Sequence, residues 1–173
     1  QQQANTGLFS VGRIAERESL FQWVGPFVSS HNRFYTLKGS PLKINSLADA
    51  RQHKLVMPRL WYSVQYLQSQ GFDDIYTVTS PEIMMNMFRN GRSDLLAASD
   101  VTLPNVLALA DLTPADVVPQ FSFMEHSSYL VFSPATNPQV ALRWQKALEQ
   151  LRRDGTVARL QSRWLGHIKP RQR

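Results

Sequence analysis

Cysteine is absent from these 173 residues, which removes disulfides, thiolate nucleophiles and zinc–thiolate sites together. That absence leaves the compartment open, since proteins of oxidising and reducing spaces alike can lack cysteine. Long apolar runs are missing too, and nothing approaches the roughly 20 residues of a membrane-spanning helix. The opening Gln1-Gln2-Gln3-Ala4-Asn5 has neither the basic start nor the apolar stretch of a signal peptide, so any export signal is expected to have been removed. Internal repeats and low-complexity stretches are absent. Charged residues are few, 18% against 43% hydrophobic, the balance of a folded chain rather than a disordered one. A chain of this length buries roughly 70% of its unfolded surface and folds without a cross-link. The length suits one domain or two small lobes.

The charge that is present leans one way, to a net +6. Nucleic-acid binding needs such cations gathered on one face, because affinity comes from neutralising neighbouring phosphates. Here lysine and arginine are scattered, the densest groups being Arg152-Arg153 and the tail Lys169-Pro170-Arg171-Gln172-Arg173. A short terminal basic run reads as a solvated tail. No nucleic-acid partner is expected; the excess charge instead favours encounter with anionic solutes or an acidic partner.

Catalytic patterns are equally sparse. His31, His53, His126 and His167 stand singly, without the HxH or HExxH spacing that places two imidazoles on one metal. His126 beside Glu125 reads as a solvated bend. There is no GxSxG elbow, P-loop or glycine-rich phosphate loop after a strand. Neither an enzyme nor a metal or cofactor is expected.

What the chain does have is alternation of strand and helix patterns. Thr6–Val11 reads as a buried strand, Ile14–Phe21 as a short helix or turn, and Phe21–Phe27 as an extended aromatic segment broken by Gly25-Pro26. Arg33–Leu37 is β-prone and closed by Gly39-Ser40-Pro41. Ser46 caps a short helix over Leu47–Arg51. Lys54–Met57 is a strand, Tyr62–Gln70 a helix stopped by Gly71, and Asp74–Thr79 a strand. Ser80-Pro81-Glu82 starts a helix carrying Ile83, Met84, Met87 and Phe88 as a core stripe. Asp94–Ala98 is the next strand, and Val117–Phe123 and Ser128–Phe132 are two more. Asn137-Pro138 opens the clearest helix, with Val140, Trp144, Ala147, Leu148 and Leu151 on one face and Gly155 at its end. A short helix with Val157, Leu160 and Trp164-Leu165 follows. The fold class is α/β with a largely parallel sheet.

Four segments in order resemble solute-binding protein family 3, the polar amino-acid binding proteins of ABC transporters. They are Arg13–Phe27 (RIAERESLFQWVGPF), Ser46–Met57 (SLADARQHKLVM), Gly71–Leu95 with its strand, SPE and Asn90-Gly91-Arg92-Ser93-Asp94, and Leu148–Leu165 (LEQLRRDGTVARLQSRWL). The resemblance implies a periplasmic-binding-protein-like, two-lobe architecture. Residues 35–120 would form a complete lobe 2. Residues 1–34 and 121–173 would be the remainder of a lobe 1 lacking its opening half, completed by a homo-dimer partner if the chain is naturally short. It also implies a periplasmic protein that binds an amino acid or organic ion in an interlobe cleft, serving an ABC permease or a membrane sensor. An enzyme on the same scaffold (dehydratase-like or lytic-transglycosylase-associated) and the ligand-sensing effector domain of a regulator are the alternatives.

Residue by residue, the resemblance puts the carboxylate-binding arginine at Arg17, six residues before Trp23, since an arginine fork pairs with both carboxylate oxygens. The competing reading is a surface ion pair of Arg13 or Arg17 with Glu16 or Glu18. Ser10 matches a position that helps hold the same carboxylate, or is a buried strand serine. Where the family often has a Gly-Ser/Thr-Thr loop, this chain has Pro58-Arg59-Leu60-Trp61-Tyr62, so Trp61 and Tyr62 offer ring surfaces and Arg59 a second cation, or they pack on a neighbouring loop. The family's amine-binding acid falls at Ser99 or Asp100. Asp100 is the better partner for an ammonium; its competing role is a helix cap before Val101.

Overall fold

The computed structural model describes residues 3–13 and 15–166. Gln1, Gln2, Ile14, His167 and the basic tail Lys169–Arg173 lie outside the described residues, as does the Glu16 side chain. The chain divides into two compact units. One comprises the described residues up to Ser30 and from His126 onward, the other His31–Glu125. Two long strands, β2 (Gln22–Leu37) and β6 (Val117–Phe132), run from one unit into the other.

The unit His31–Glu125 is built on short strands with apolar residues on both faces. β3 (Leu55–Pro58) pairs in parallel with β4 (Ile75–Val78), Leu55 opposite Ile75 and Pro58 opposite Val78. β5 (Leu96–Ser99) pairs antiparallel with β2, Asn32 opposite Ser99 and Tyr35 opposite Leu96. A parallel bridge from Leu55 to Leu95 links β3 to the start of β5. The sheet pairing is therefore mixed rather than largely parallel.

Because side chains alternate along a strand, this unit has two cores. Tyr35, Val56, Leu96 and Ala98 face one, with Met84, Met85 and Phe88 of α3 (Pro81–Arg89) and Leu103, Val106 and Leu107 of α4 (Leu103–Ala108). Phe34, Leu55, Met57, Leu95 and Ala97 face the other, with Val64 and Leu67 of α2 (Tyr62–Ser69), Phe72 and Phe123. Strands buried on both faces explain the unbroken apolar runs LVM (55–57) and LLAA (95–98). The α3 face differs by one step from its expected stripe: Met85 is buried while Ile83 is 43% exposed.

Helix starts follow local chemistry. The Ser46 hydroxyl accepts from the Asp49 N–H at 3.1 Å and opens α1 (Leu47–Ala50). Ser80 stands at the head of α3 without capping it; its hydroxyl serves the Glu82 carboxyl instead and helps hold it below the usual carboxylate range.

In the other unit, β1 (Gly7–Gly12) pairs antiparallel with β6, Gly7 opposite Phe132 and Gly12 opposite Ser128. β1 is not the buried strand expected. It stands at a sheet edge and leaves Leu8 and Phe9 exposed. Gly25-Pro26 does not break β2, which runs through both residues; the Gly25 N–H donates to Gln145 Oε1 at 3.0 Å, outside the ladder. Nor do Glu125 and His126 form a bend, since β6 continues through them.

Asn137 caps α5 (Pro138–Arg153), its side chain accepting from the Gln139 N–H at 2.9 Å. Within α5, Ala141 and Leu148 are buried against Val24, Leu130 and Phe132, whereas Trp144 and Leu151 are over 40% exposed. Of the expected stripe, Leu148 is buried in this core and Val140 packs against it, Trp144 is exposed but its ring centre lies 6.0 Å from that of Phe132, and Ala147 and Leu151 face outward. α6 (Thr156–Leu165) follows Gly155, whose φ of 77° ends α5.

Candidate functional site

Polar groups converge at the end of β5. Leaving the strand, the chain passes through Ser99, whose hydroxyl accepts from the Val101 N–H at 3.2 Å, and reaches Asp100. Asp100 is not a helix cap: α4 starts later, after Thr102. Its carboxylate accepts the His31 backbone N–H at 3.0 Å, and its own N–H donates to the His31 carbonyl at 3.0 Å. The imidazole comes along with that backbone pairing, Nδ1 lying 3.5 Å from Asp100 Oδ2 and Nε2 lying 3.9 Å from Glu125 Oε2. Asp100 and His31 are 17% and 23% exposed at the side chain, so both are sheltered yet reachable. Beneath them Tyr35 is pushed up to about 12, chiefly by burial and secondarily by the charge of Asp100.

The next residue of β2 reaches α2. Asn32 Nδ2–H donates to the Tyr62 hydroxyl at 2.9 Å. Burial pushes the Tyr62 phenol up, and the Asn32 hydrogen bond opposes that shift. Trp61 is half-buried and packs against both cores of its unit, while Arg59 is exposed beside it, its backbone N–H donating to the Val78 carbonyl at 3.0 Å. Asp100 and Tyr62 are each tied to neighbouring residues of β2. Arg59 joins neither group.

The other unit carries the remaining expected residues. Ser10 lies on β1 within an irregular stretch of pairing between Leu8 and Val11. It is exposed, and its φ of 58° is in the left-handed region, so it is not a buried strand serine. Arg17 lies within the 3₁₀ helix Ala15–Leu20 and is exposed. Its neighbour Arg13 is the arginine with partners. Arg13 Nε–H donates to Glu18 Oε2 at 2.8 Å and a terminal guanidinium nitrogen pairs with Oε1. The same guanidinium lies 5.3 Å from the Trp23 ring centre and 5.4 Å from that of Tyr129. Each ion stabilises the other's charge, so the guanidinium's pKa is raised and the Glu18 carboxyl's is lowered. Trp23 Nε1–H donates to the Glu18 carbonyl at 3.0 Å and closes the cluster.

His31, Asn32, Glu125 and the Arg13 ring contacts were not singled out from the sequence as site residues. His31 meets Asp100 across 69 positions of chain, a pairing with no local signature. Among the described residues, no group of three metal-ligating side chains forms.

No protein-family model matches the chain, and no curated protein matches it. Solved structures do match. They define the class: a mixed α/β, periplasmic-binding-protein-like fold. A histidine kinase sensor domain with similarity to periplasmic binding proteins superposes at TM-score 0.75 with 19% identity, covering 95% of this chain and 71% of that one. The probable amino-acid ABC transporter extracellular-binding protein ytmK from Bacillus subtilis gives TM-score 0.74 at 16% identity, over 91% and 69% of the two chains. A mutant of ArgBP from T. maritima gives TM-score 0.72 at 11% identity, over 91% and 67%. The chain spans about two thirds of the length of these structures.

Proposed function

We propose that this chain is a ligand-binding module that takes a small polar solute, an amino acid or related organic ion, and releases it unchanged. The periplasmic-binding-protein-like fold carries this reading. Polar groups on β2, β5 and α2 support it, because binding sites of small polar molecules need a few well-placed polar groups on otherwise apolar walls.

In this proposal Asp100 takes the ammonium of the solute, Tyr62 offers its hydroxyl, and Trp61 offers its ring. Arg59 is a second cation for a larger or doubly anionic solute. The family resemblance assigns the solute's carboxylate to Arg17, with Ser10 beside it. Service to an ABC permease or a membrane sensor, in the periplasm, belongs to the same proposal.

The test is a melting-temperature shift with L-arginine, L-glutamate, L-glutamine and L-tryptophan offered singly, followed by recovery of the solute. At a solute concentration about 100 times Kd, binding stabilises the fold by about 2.7 kcal/mol. A rise with one amino acid recovered intact supports a binding module. A rise with chemical conversion makes the chain an enzyme on this scaffold. No shift with any of them sinks the proposal.

A further inference from the structure

Two arginines stand four residues apart at the start of the chain, and the structure treats them differently. Arg17 is exposed and makes, among the described residues, no hydrogen bond, ion pair or ring contact. Arg13 is held by two rings: Trp23 and Tyr129 approach its guanidinium at 5.3 and 5.4 Å. Those two rings meet edge to face, 5.6 Å apart at 85°, and Phe21 meets Trp23 the same way at 5.7 Å. A guanidinium set against aromatic rings loses little further freedom when its fork pairs with an anion.

That fork already holds a carboxylate. Glu18 pairs with it bidentately, the geometry in which arginine recognises carboxylates. Both partners remain open to solvent, 40% for Arg13 and 52% for Glu18 at the side chain. Among the described residues, Arg13 is the sole partner of the Glu18 carboxylate. An exposed ion pair of this kind contributes little and exchanges readily, whereas the aromatic setting of Arg13 stays in place when Glu18 swings away.

We propose that Arg13, not Arg17, is the anion anchor of this unit, and that Glu18 is an internal carboxylate occupying the anchor until a carboxylate-bearing solute displaces it. The solute's identity as an amino acid rests on the function proposed above; the anion site itself does not. Glu18 then sets the affinity, since every incoming carboxylate competes with it. Removing its charge frees the fork, while removing the fork abolishes carboxylate recognition.

The experiment follows the arginine Nε–H resonances by NMR in the full chain, with sodium acetate as the probe and sodium chloride at matched ionic strength as the control. In Glu18→Gln the Arg13 signal is expected to move saturably with acetate and not with chloride, and the wild type to need about threefold more acetate, the weight of an exposed ion pair. Movement of the Arg17 signal in place of Arg13, or no saturable movement in Glu18→Gln, overturns the proposal. With an amino acid that stabilises the wild type, Glu18→Gln is expected to bind tighter and Arg13→Lys about tenfold weaker or worse. Arg13→Lys should also lose the preference for the acid over its carboxamide. Unchanged affinity and preference in a folded Arg13→Lys overturn it as well. If acetate behaves as expected and no amino acid binds, the anchor stands and the amino-acid reading falls; the reverse result separates them the other way.

Discussion

Tyr35 shows how burial at one residue becomes a pH dependence of the whole chain. It is 3% exposed, and burial, reinforced by the Asp100 charge, pushes its phenol up to about 12. An unfolded tyrosine loses its proton near pH 10. Between about pH 10 and pH 12 the unfolded chain has therefore shed a proton that the folded chain keeps, so stability falls as pH rises through that window. Below it the contribution is intact. The full effect is about 2–3 kcal/mol. Urea midpoints from about pH 9 to pH 11.5 should decline for the wild type and decline less for Tyr35→Phe. An identical decline in both would place the cause elsewhere. A second residue, Gly25, has φ 147° and no room for a side chain, since a Cβ there would lie 2.7 Å from Tyr129 Cδ1. Gly25→Ala is expected to cost about 1–3 kcal/mol, from backbone strain and overpacking together. It should also push Tyr129 off the Arg13 guanidinium, which the Nε–H spectrum would show.

Among the elements, α2 and α5 illustrate two sources of helix stability. α2 has no side-chain cap at Trp61 and is held by Val64 and Leu67, which are 3% and 0% exposed. Leu67→Ala removes a fully buried side chain and should lower stability by about 2–5 kcal/mol, depending on how far Phe34 and Phe72 close the gap. α5 begins at an Asn137 cap, and Asn137→Ala should cost about 1 kcal/mol. Chemical denaturation of both variants checks the ordering: a smaller loss for Leu67→Ala than for Asn137→Ala would contradict the packing described. These helices were legible because the Asn137 cap and Pro138 at the start of α5, and Gly71 and Gly155 beyond the ends of α2 and α5, act within four residues. The long strands were not. β2 and β6 each cross a segment that reads locally as a break, Gly25-Pro26 and Glu125-His126, and only pairing with distant strands carries the backbone through.

At the scale of the molecule, both units expose large apolar side chains, Leu60 at 91% and Tyr76 at 62% among them in the unit His31–Glu125. The unit with β1, α5 and α6 exposes Phe9 and Trp164 at 68% each, Leu8 at 55%, Leu142 at 50% and Trp144 at 46%. Exposed apolar side chains are where folded chains associate, and self-association through this unit is a proposal with a direct test. Light scattering should give a mass near twice 19.8 kDa, falling toward a single chain for the Phe9→Ser, Trp164→Glu double variant. A monomeric wild type would exclude self-association through this face.

Sequence alone determined what acts over short distances: the order of strand and helix except for α4, the helix starts at Ser46 and Asn137, the α/β class, and the lack of any thiol or metal-spacing motif. These follow from propensity, capping and periodicity, which are properties of a few adjacent residues. Tertiary structure alone decided which of the marked side chains have partners. Asp100 meets His31, Tyr62 meets Asn32, and Arg13 rather than Arg17 lies against two rings. Each of those contacts brings a residue of β2 or β6 to a separate segment of the chain, and a contact of that kind is set by strand pairing and core packing rather than by neighbours in the chain.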